Sequence, residues 1–119
     1  MSARLPIERL DQNARRSRAV IHGDVVYLAG HTAADRSQDI GGQTRQVLAA
    51  IDGMLAEAGT DKSRLLSVTM WLSSMAHFAG MNAVYDAWIV PGQAPARCCG
   101  ALELAAPDIL VEIMVTAAR

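Results

Sequence analysis

The chain has 119 residues, 51% of them hydrophobic and 19% charged, and its 11 basic side chains nearly balance 12 acidic ones for a net charge of −1. That length fits one domain around one core, and the balance gives no electrostatic reason to expect nucleic acid or an anionic membrane as partner. Arginine supplies every basic residue except Lys62, which lies in a Thr-Asp-Lys-Ser loop and reads as a solvated surface group rather than a Schiff-base lysine.

Residues 1–15 are polar, mixed in charge and read as a loose lead-in, with a short strand as an option. They hold no apolar stretch of signal-peptide kind, and no run approaches the ~20 residues of a membrane span, so a cytoplasmic protein is expected. Arg18–His22 and Val25–Gly30 form two short apolar or β-branched runs separated by Gly23-Asp24, the composition of a tight hairpin turn. The polar stretch from His31 to Gly42 reads as a surface loop. From Gln43 to Ala58, apolar Val47, Leu48, Ile51, Met54, Leu55 and Ala58 recur with one-sided helical spacing, and Gly59 marks the stop. Arg64–Ser73 alternates: Leu66, Val68, Met70 and Leu72 fall on a core face, Ser67, Thr69, Trp71 and Ser73 on the other.

Ser74 is placed to cap a second helix from about Met75 to Ile89, with Phe78, Met81, Val84, Tyr85 and Trp88 as its apolar stripe and Pro91-Gly92 as its stop. The last segment, Pro95 to Ala117, reads as two strands joined by a turn at Ala105-Ala106-Pro107-Asp108. Each strand carries one charge among apolar neighbours, Arg97 in the first and Glu112 in the second. A charge in such company is costly unless it is paired or used, so the pair is either a structural salt bridge of a closing hairpin or the centre of a site. In a hairpin centred near Ala106 the two would be offset by about three positions, roughly 10 Å at strand rise. Cys98 and Cys99 are adjacent and point to opposite faces of a strand, so they read as small buried residues that do not bridge each other. His22, His31 and His77 lie far apart and give no metal-ligand spacing.

The order is β-β-α-β-α-β-β, an α+β sandwich with two helices on one face of a mixed sheet. In the last strand Ile109, Val111, Ile113 and Val115 face one way and Leu110, Glu112, Met114 and Thr116 the other, so both faces are largely apolar. Two helices cover one face only, and an uncovered apolar sheet face predicts a homo-oligomer that packs sheet faces together.

The run Pro95-Ala96-Arg97-Cys98-Cys99, followed after the Pro-Asp turn by Val111-Glu112-Ile113, resembles the C-terminal signature of the Rid (YjgF) family of enamine/imine deaminases. Val26-Tyr27-Leu28-Ala29-Gly30 is similar to that family's second core strand, Gln43-Thr44-Arg45-Gln46-Val47-Leu48 to the start of its first helix, and Met81-Asn82-Ala83-Val84-Tyr85 to the middle of its second. The resemblance spans residues 16 to 118. It implies a chorismate-mutase-like fold, a homotrimer with ligand clefts between subunits, and hydrolysis of imines and enamines such as 2-aminoacrylate to 2-oxo acids and ammonia, with no metal or organic cofactor. It also implies roles: Arg97 grips the substrate carboxylate, Glu112 directs the attacking water, and the Cys99 backbone N–H faces the ligand. Gly30, His31, Arg16 and Asn82 complete the candidate substrate-binding set. Two positions depart from the family pattern. Arg16 stands where the best-studied members carry a tyrosine, and Ala29-Gly30-His31 stands where Ser-Gly is frequent. Arg16 adds a positive group, which brings a dicarboxylate or another imino acid into consideration as substrate. A noncatalytic module that binds or senses a small carboxylate in the same cleft is the alternative. A chaperone-like or ribonuclease role is the third, and a ribonuclease predicts a basic groove that this lysine-poor chain does not suggest.

Overall fold

The computed structural model describes residues 4–119. Its elements in chain order are β1 (Ile7–Gln12), β2 (Ser17–His22), β3 (Val25–Leu28), α1 (Ile40–Glu57), β4 (Leu65–Leu72), α2 (Phe78–Trp88), β5 (Ala96–Ala101) and β6 (Val111–Ala118). Six strands form one mixed sheet in the spatial order β1-β2-β3-β6-β4-β5. No helix among the described residues is long and apolar enough to cross a membrane.

The expected lead-in contributes a full strand, β1, paired antiparallel with β2 from Ile7↔His22 to Gln12↔Ser17. An edge strand needs one backbone partner and little apolar surface, so its mixed polar sequence hides it. β3 ends at Leu28 rather than Gly30, and His31 leaves the expected surface loop to bridge Ile113, exchanging N–H···O bonds of 2.8 and 3.1 Å. Helix α1 starts three residues before Gln43 because Asp39 caps it, its carboxylate accepting the Gly42 N–H at 2.8 Å. Gly59, at φ +84°, lies just beyond the C-cap Ala58 in the left-handed conformation that glycine adopts without strain.

In β4 the alternation holds from Val68 to Leu72, but Leu66, expected in the core, is 47% exposed and Leu65 is buried instead. A register shift against β6 between Leu65 and Ser67 inverts the side-chain alternation there. The second helix is shorter than its pattern suggests. The Ser74 hydroxyl does accept an N–H, from Ala76 at 3.1 Å, but the turn it caps is a 3-10 turn over Met75–His77, and α2 proper begins at Phe78.

The main correction concerns the C-terminal segment. β5 and β6 are not a hairpin: β4 lies between them, pairing parallel with β5 (Val68↔Arg97) and antiparallel with β6 (Trp71↔Glu112). The residues between β5 and β6 therefore carry the chain across β4 instead of folding it back on itself.

The rest of the packing follows the apolar pattern. Val68, Met70, Leu72, Val111, Ile113, Val115 and Ala117 face α1 and α2 and are buried with Val47, Leu48, Ile51 and Leu55. Burying a side chain of this size contributes about 1.5–3 kcal/mol. The opposite sheet face carries no helix, and on it Tyr27 is 49% and Met114 43% exposed.

Candidate functional site

The polar groups gather in two places. The first lies where β3 ends. A Cβ added at Gly30 would fall on the Glu112 carboxylate, with Cδ 3.0 Å away, so glycine is what lets that carboxylate lie against the backbone. His31 follows, only 7% exposed, with Nδ1 2.8 Å from the Ala29 carbonyl. A carbonyl only accepts, so Nδ1 carries the proton and Nε2 of the neutral ring presents a lone pair, which finds no partner among the described residues. Burial lowers the His31 pKa, the Ala29 hydrogen bond opposes this, and the charges of Arg18 and Arg16 lower it further while Glu112 raises it. Those influences place Arg16, Arg18 and Glu112 around one imidazole that is held neutral. His31, read both as the start of a surface loop and as a candidate substrate-binding residue, is thus a buried part of the cluster.

Arg16 and Arg18 are ordered by Asp11. Its carbonyl accepts from Arg16 Nη1 at 2.9 Å and its carboxylate pairs with Arg18 Nε at 3.0 Å. Asp11 sits at φ +47°, the left-handed region that costs a non-glycine residue energy, and this kink near the end of β1 orients both of its acceptor groups. Arg16, Arg18, Gly30, His31 and Gln46 line a cavity of about 710 Å³ with Ala29, Ala33, Ala34, Ala49 and Ala50 among its walls.

The second place is the opposite sheet edge. Arg97 projects from β5 beside Val68, and its guanidinium lies 5.0 Å from the Tyr85 ring and 5.8 Å from the Phe78 ring of α2. Both contacts are cation–π in geometry, and they hold the planar fork without neutralising it. Arg97 makes no ion pair among the described residues. Asn82, between Phe78 and Tyr85 on α2, carries a buried Oδ1 with no hydrogen-bond partner among the described residues. Cys99, two residues along β5 from Arg97, has its thiol pKa raised by burial, against the lowering influence of Arg97, which keeps it protonated and a poor nucleophile. Neither cysteine is in a disulfide.

Arg97 and Glu112 do not meet within one chain. They are two strands apart, and Val68 and Trp71, the β4 residues they pair with, are three positions apart and so on opposite faces. Strand spacing and rise put their backbones roughly 14 Å apart, where the hairpin reading gave a shorter gap. The structural salt bridge is excluded in this chain for the same reason. Of the sequence candidates, Arg16, Gly30, His31 and Glu112 come together, Arg97, Asn82 and Cys99 come together, and β4 divides the two sets.

Three residues escaped the sequence reading. Arg18, a charge opening an apolar run, had the same signature as Arg97. Tyr85, assigned to the core stripe, also backs Arg97. Gln43 is fully buried: its Nε2 lies 2.9–3.2 Å from the carbonyls of Asp108, Gln38 and Arg36, and its Oε1 accepts the Leu110 N–H at 3.0 Å. It ties the start of α1 to the approach of β6, two residues before Glu112, and nothing in its local sequence marks it.

The fold and these two half-sites define a class, a two-layer α+β sandwich with one bare sheet face and polar groups split between two ends of one sheet. A family model described as endoribonuclease L-PSP matches residues 6–119. A RutC family protein of Haemophilus ducreyi is 43% identical over 112 residues, covering 94% of this chain and 96% of the relative. The RutC family protein YoaB of Escherichia coli is 40% identical over 114 residues, with 96% and 99% covered. Among solved structures, a YjgF-family protein from Neisseria meningitidis superposes with a TM-score of 0.95 at 37% identity and 98% of both chains covered. An uncharacterized protein from Pseudomonas aeruginosa gives 0.94 at 43% identity, covering 96% of this chain and 99% of its own. The chain belongs to this family, known as YjgF, Rid or RutC.

Proposed function

We propose that the protein is a 2-iminobutanoate/2-iminopropanoate deaminase-like hydrolase, converting reactive enamine and imine intermediates of small amino acids to 2-oxo acids and ammonia in clefts shared by the subunits of a homotrimer. The observation that carries the reading is the division of the site: an unpaired Arg97 on one edge and a Glu112 carboxylate seated on Gly30 elsewhere, too far apart in one chain to hold one small molecule. Contact that sets the β5–α2 edge of one copy, which carries Arg97, against the bare sheet face of the next would give each half-site a complement and remove Tyr27 and Met114 from water.

In this mechanism Arg97 binds the substrate carboxylate through two parallel hydrogen bonds, which fixes the imine carbon as well as supplying charge. Glu112 takes a proton from water as the oxygen adds to that carbon, and returns it to nitrogen. The carbinolamine then collapses: its hydroxyl proton passes by way of Glu112 to the amine nitrogen, the carbonyl forms and the C–N bond breaks, releasing ammonia. Imines are already electrophilic, so positioning and one base suffice. Neutral His31 adds no further cation beside the base.

The test generates imines with an amino-acid oxidase and traps what persists with semicarbazide. Arg97→Ala is expected to lower kcat/KM roughly tenfold to a hundredfold, the worth of a charged hydrogen-bonded contact. Glu112→Gln is expected to lower kcat about a hundredfold or more. Wild-type protein that speeds the loss of no imine would remove the hydrolase reading. The second reading, a noncatalytic carboxylate binder, is favoured by Arg16 at the family tyrosine's position. It predicts 2-oxo acid binding that Arg97→Ala abolishes, without turnover. A ribonuclease role finds no support in a net charge of −1 and a single lysine, Lys62, whose ammonium lies over Trp88 at 5.2 Å.

A further inference from the structure

We propose that the cavity between β2, the end of β3 and α1 receives a second carboxylate of the substrate, so that the protein acts preferentially on 2-imino dicarboxylic acids. The inference rests on the hydrolase reading for its reaction, and on the cavity for its specificity. Two guanidiniums, Arg16 and Arg18, line this space, and no carboxylate does. Asp11, the acid that orders both, touches Arg18 through Nε and Arg16 through a backbone carbonyl, which leaves the remaining N–H groups of each fork without a protein acceptor among the described residues. Gln46, the other long polar side chain on the wall, is already engaged with the Asp35 backbone, its Oε1 accepting at 2.9 Å and its Nε2 donating at 3.3 Å. The remaining walls are chiefly alanine methyls, which suit a short carbon chain leading from the reacting carbon to a terminal anion.

Arg97 of a neighbouring copy serves one carboxylate, and Gly30, against which the Glu112 carboxylate rests, is part of the wall of this cavity. A substrate held by both ends therefore spans from a neighbouring copy's Arg97 to the Arg16–Arg18 pair, passing Gly30 and the Glu112 carboxylate that rests on it. A monocarboxylate imine fills only the first position and leaves the paired arginines unused.

The experiment compares two imines made in place, one from D-aspartate by D-aspartate oxidase and one from D-alanine by D-amino-acid oxidase, with semicarbazide as trap. Wild type is expected to show at least about a tenfold higher kcat/KM on the dicarboxylate, one strong charged contact's worth of discrimination. Arg16→Met should reduce that ratio by about the same factor, and Arg16→Lys should restore part of it. Equal rates on both imines in wild type, or an equal loss on both in Arg16→Met, would overturn the proposal. If neither imine is hydrolysed the hydrolase reading fails, and titration with 2-oxoglutarate and pyruvate decides the pocket. Tighter 2-oxoglutarate binding that Arg16→Met removes supports the second carboxylate, and equal affinities in wild type overturn it. Circular dichroism of each variant confirms that the comparison is between folded proteins.

Discussion

At Gly30 a single missing methyl group decides where a carboxylate rests. Gly30→Ala would place a Cβ on the Glu112 carboxylate and force it aside, while the backbone itself needs no special torsion there. The expected outcome is a loss of imine turnover of at least tenfold with a melting temperature within a few degrees of wild type, read by the trapping assay and by thermal unfolding. His31 makes a second prediction. Its pKa is lowered in the folded chain, chiefly by burial, so between that value and the unfolded 6.5 the unfolded state binds more protons. Stability contributed by neutral His31 is present above pH 6.5 and drains away as pH falls through 6.5 toward the folded pKa. His31→Gln, which keeps a polar group but does not titrate, should show a shallower fall of melting temperature between pH 7.5 and 5.5 than wild type. An equal slope in both would show that His31 does not carry this dependence. Arg97 and Glu112 were legible in the sequence because a charge in an apolar strand stands out. Arg18 carries the same mark but was absorbed into a hairpin, and Gln43 has no mark at all, since its four backbone partners are 5 to 67 positions away.

The elements were readable where a local pattern decides them and misread where a neighbouring strand does. Helical spacing found α1 and α2, and alternation found most of β4. Each boundary that moved did so through a specific contact: the Asp39 cap, the 3-10 turn after Ser74, and the register shift at Leu65/Ser67. The assumed β5–β6 hairpin failed for a different reason. Sequential strands usually pair, but here β4 sits between them, and strand order is a property of the whole sheet that no window of residues encodes. Gln43 bears on this same segment, because it holds the Leu110 N–H just before β6 enters the sheet. Gln43→Leu would strand that N–H and three carbonyls away from water, and about 2–4 kcal/mol of destabilisation is expected in urea unfolding. Activity should fall as well in the surviving folded fraction, since Glu112 follows two residues later. A change below about 0.5 kcal/mol would mean that water replaces the amide at little cost.

For the whole molecule, the decisive feature is that one chain holds the Arg97 cluster and the Glu112 cluster, the two halves of the proposed site, apart. Co-expression of Arg97→Ala and Glu112→Ala chains tests this, since mixed homotrimers would regenerate about a quarter of wild-type clefts if each cleft takes one group from each neighbour. Purified mixed oligomers as inactive as either parent would show that the site lies within one chain. In the proposed trimer, where β4 keeps β5 and β6 apart, ligand occupancy and subunit association are two sides of one equilibrium. A ligand that bridges two copies has nothing to bridge in a lone chain, so saturating it must lower the concentration at which the oligomer dissociates, by the factor by which assembly improves its binding. Diluting the protein without ligand should then lower the proposed imine turnover per molecule, and substrate itself should protect against that loss.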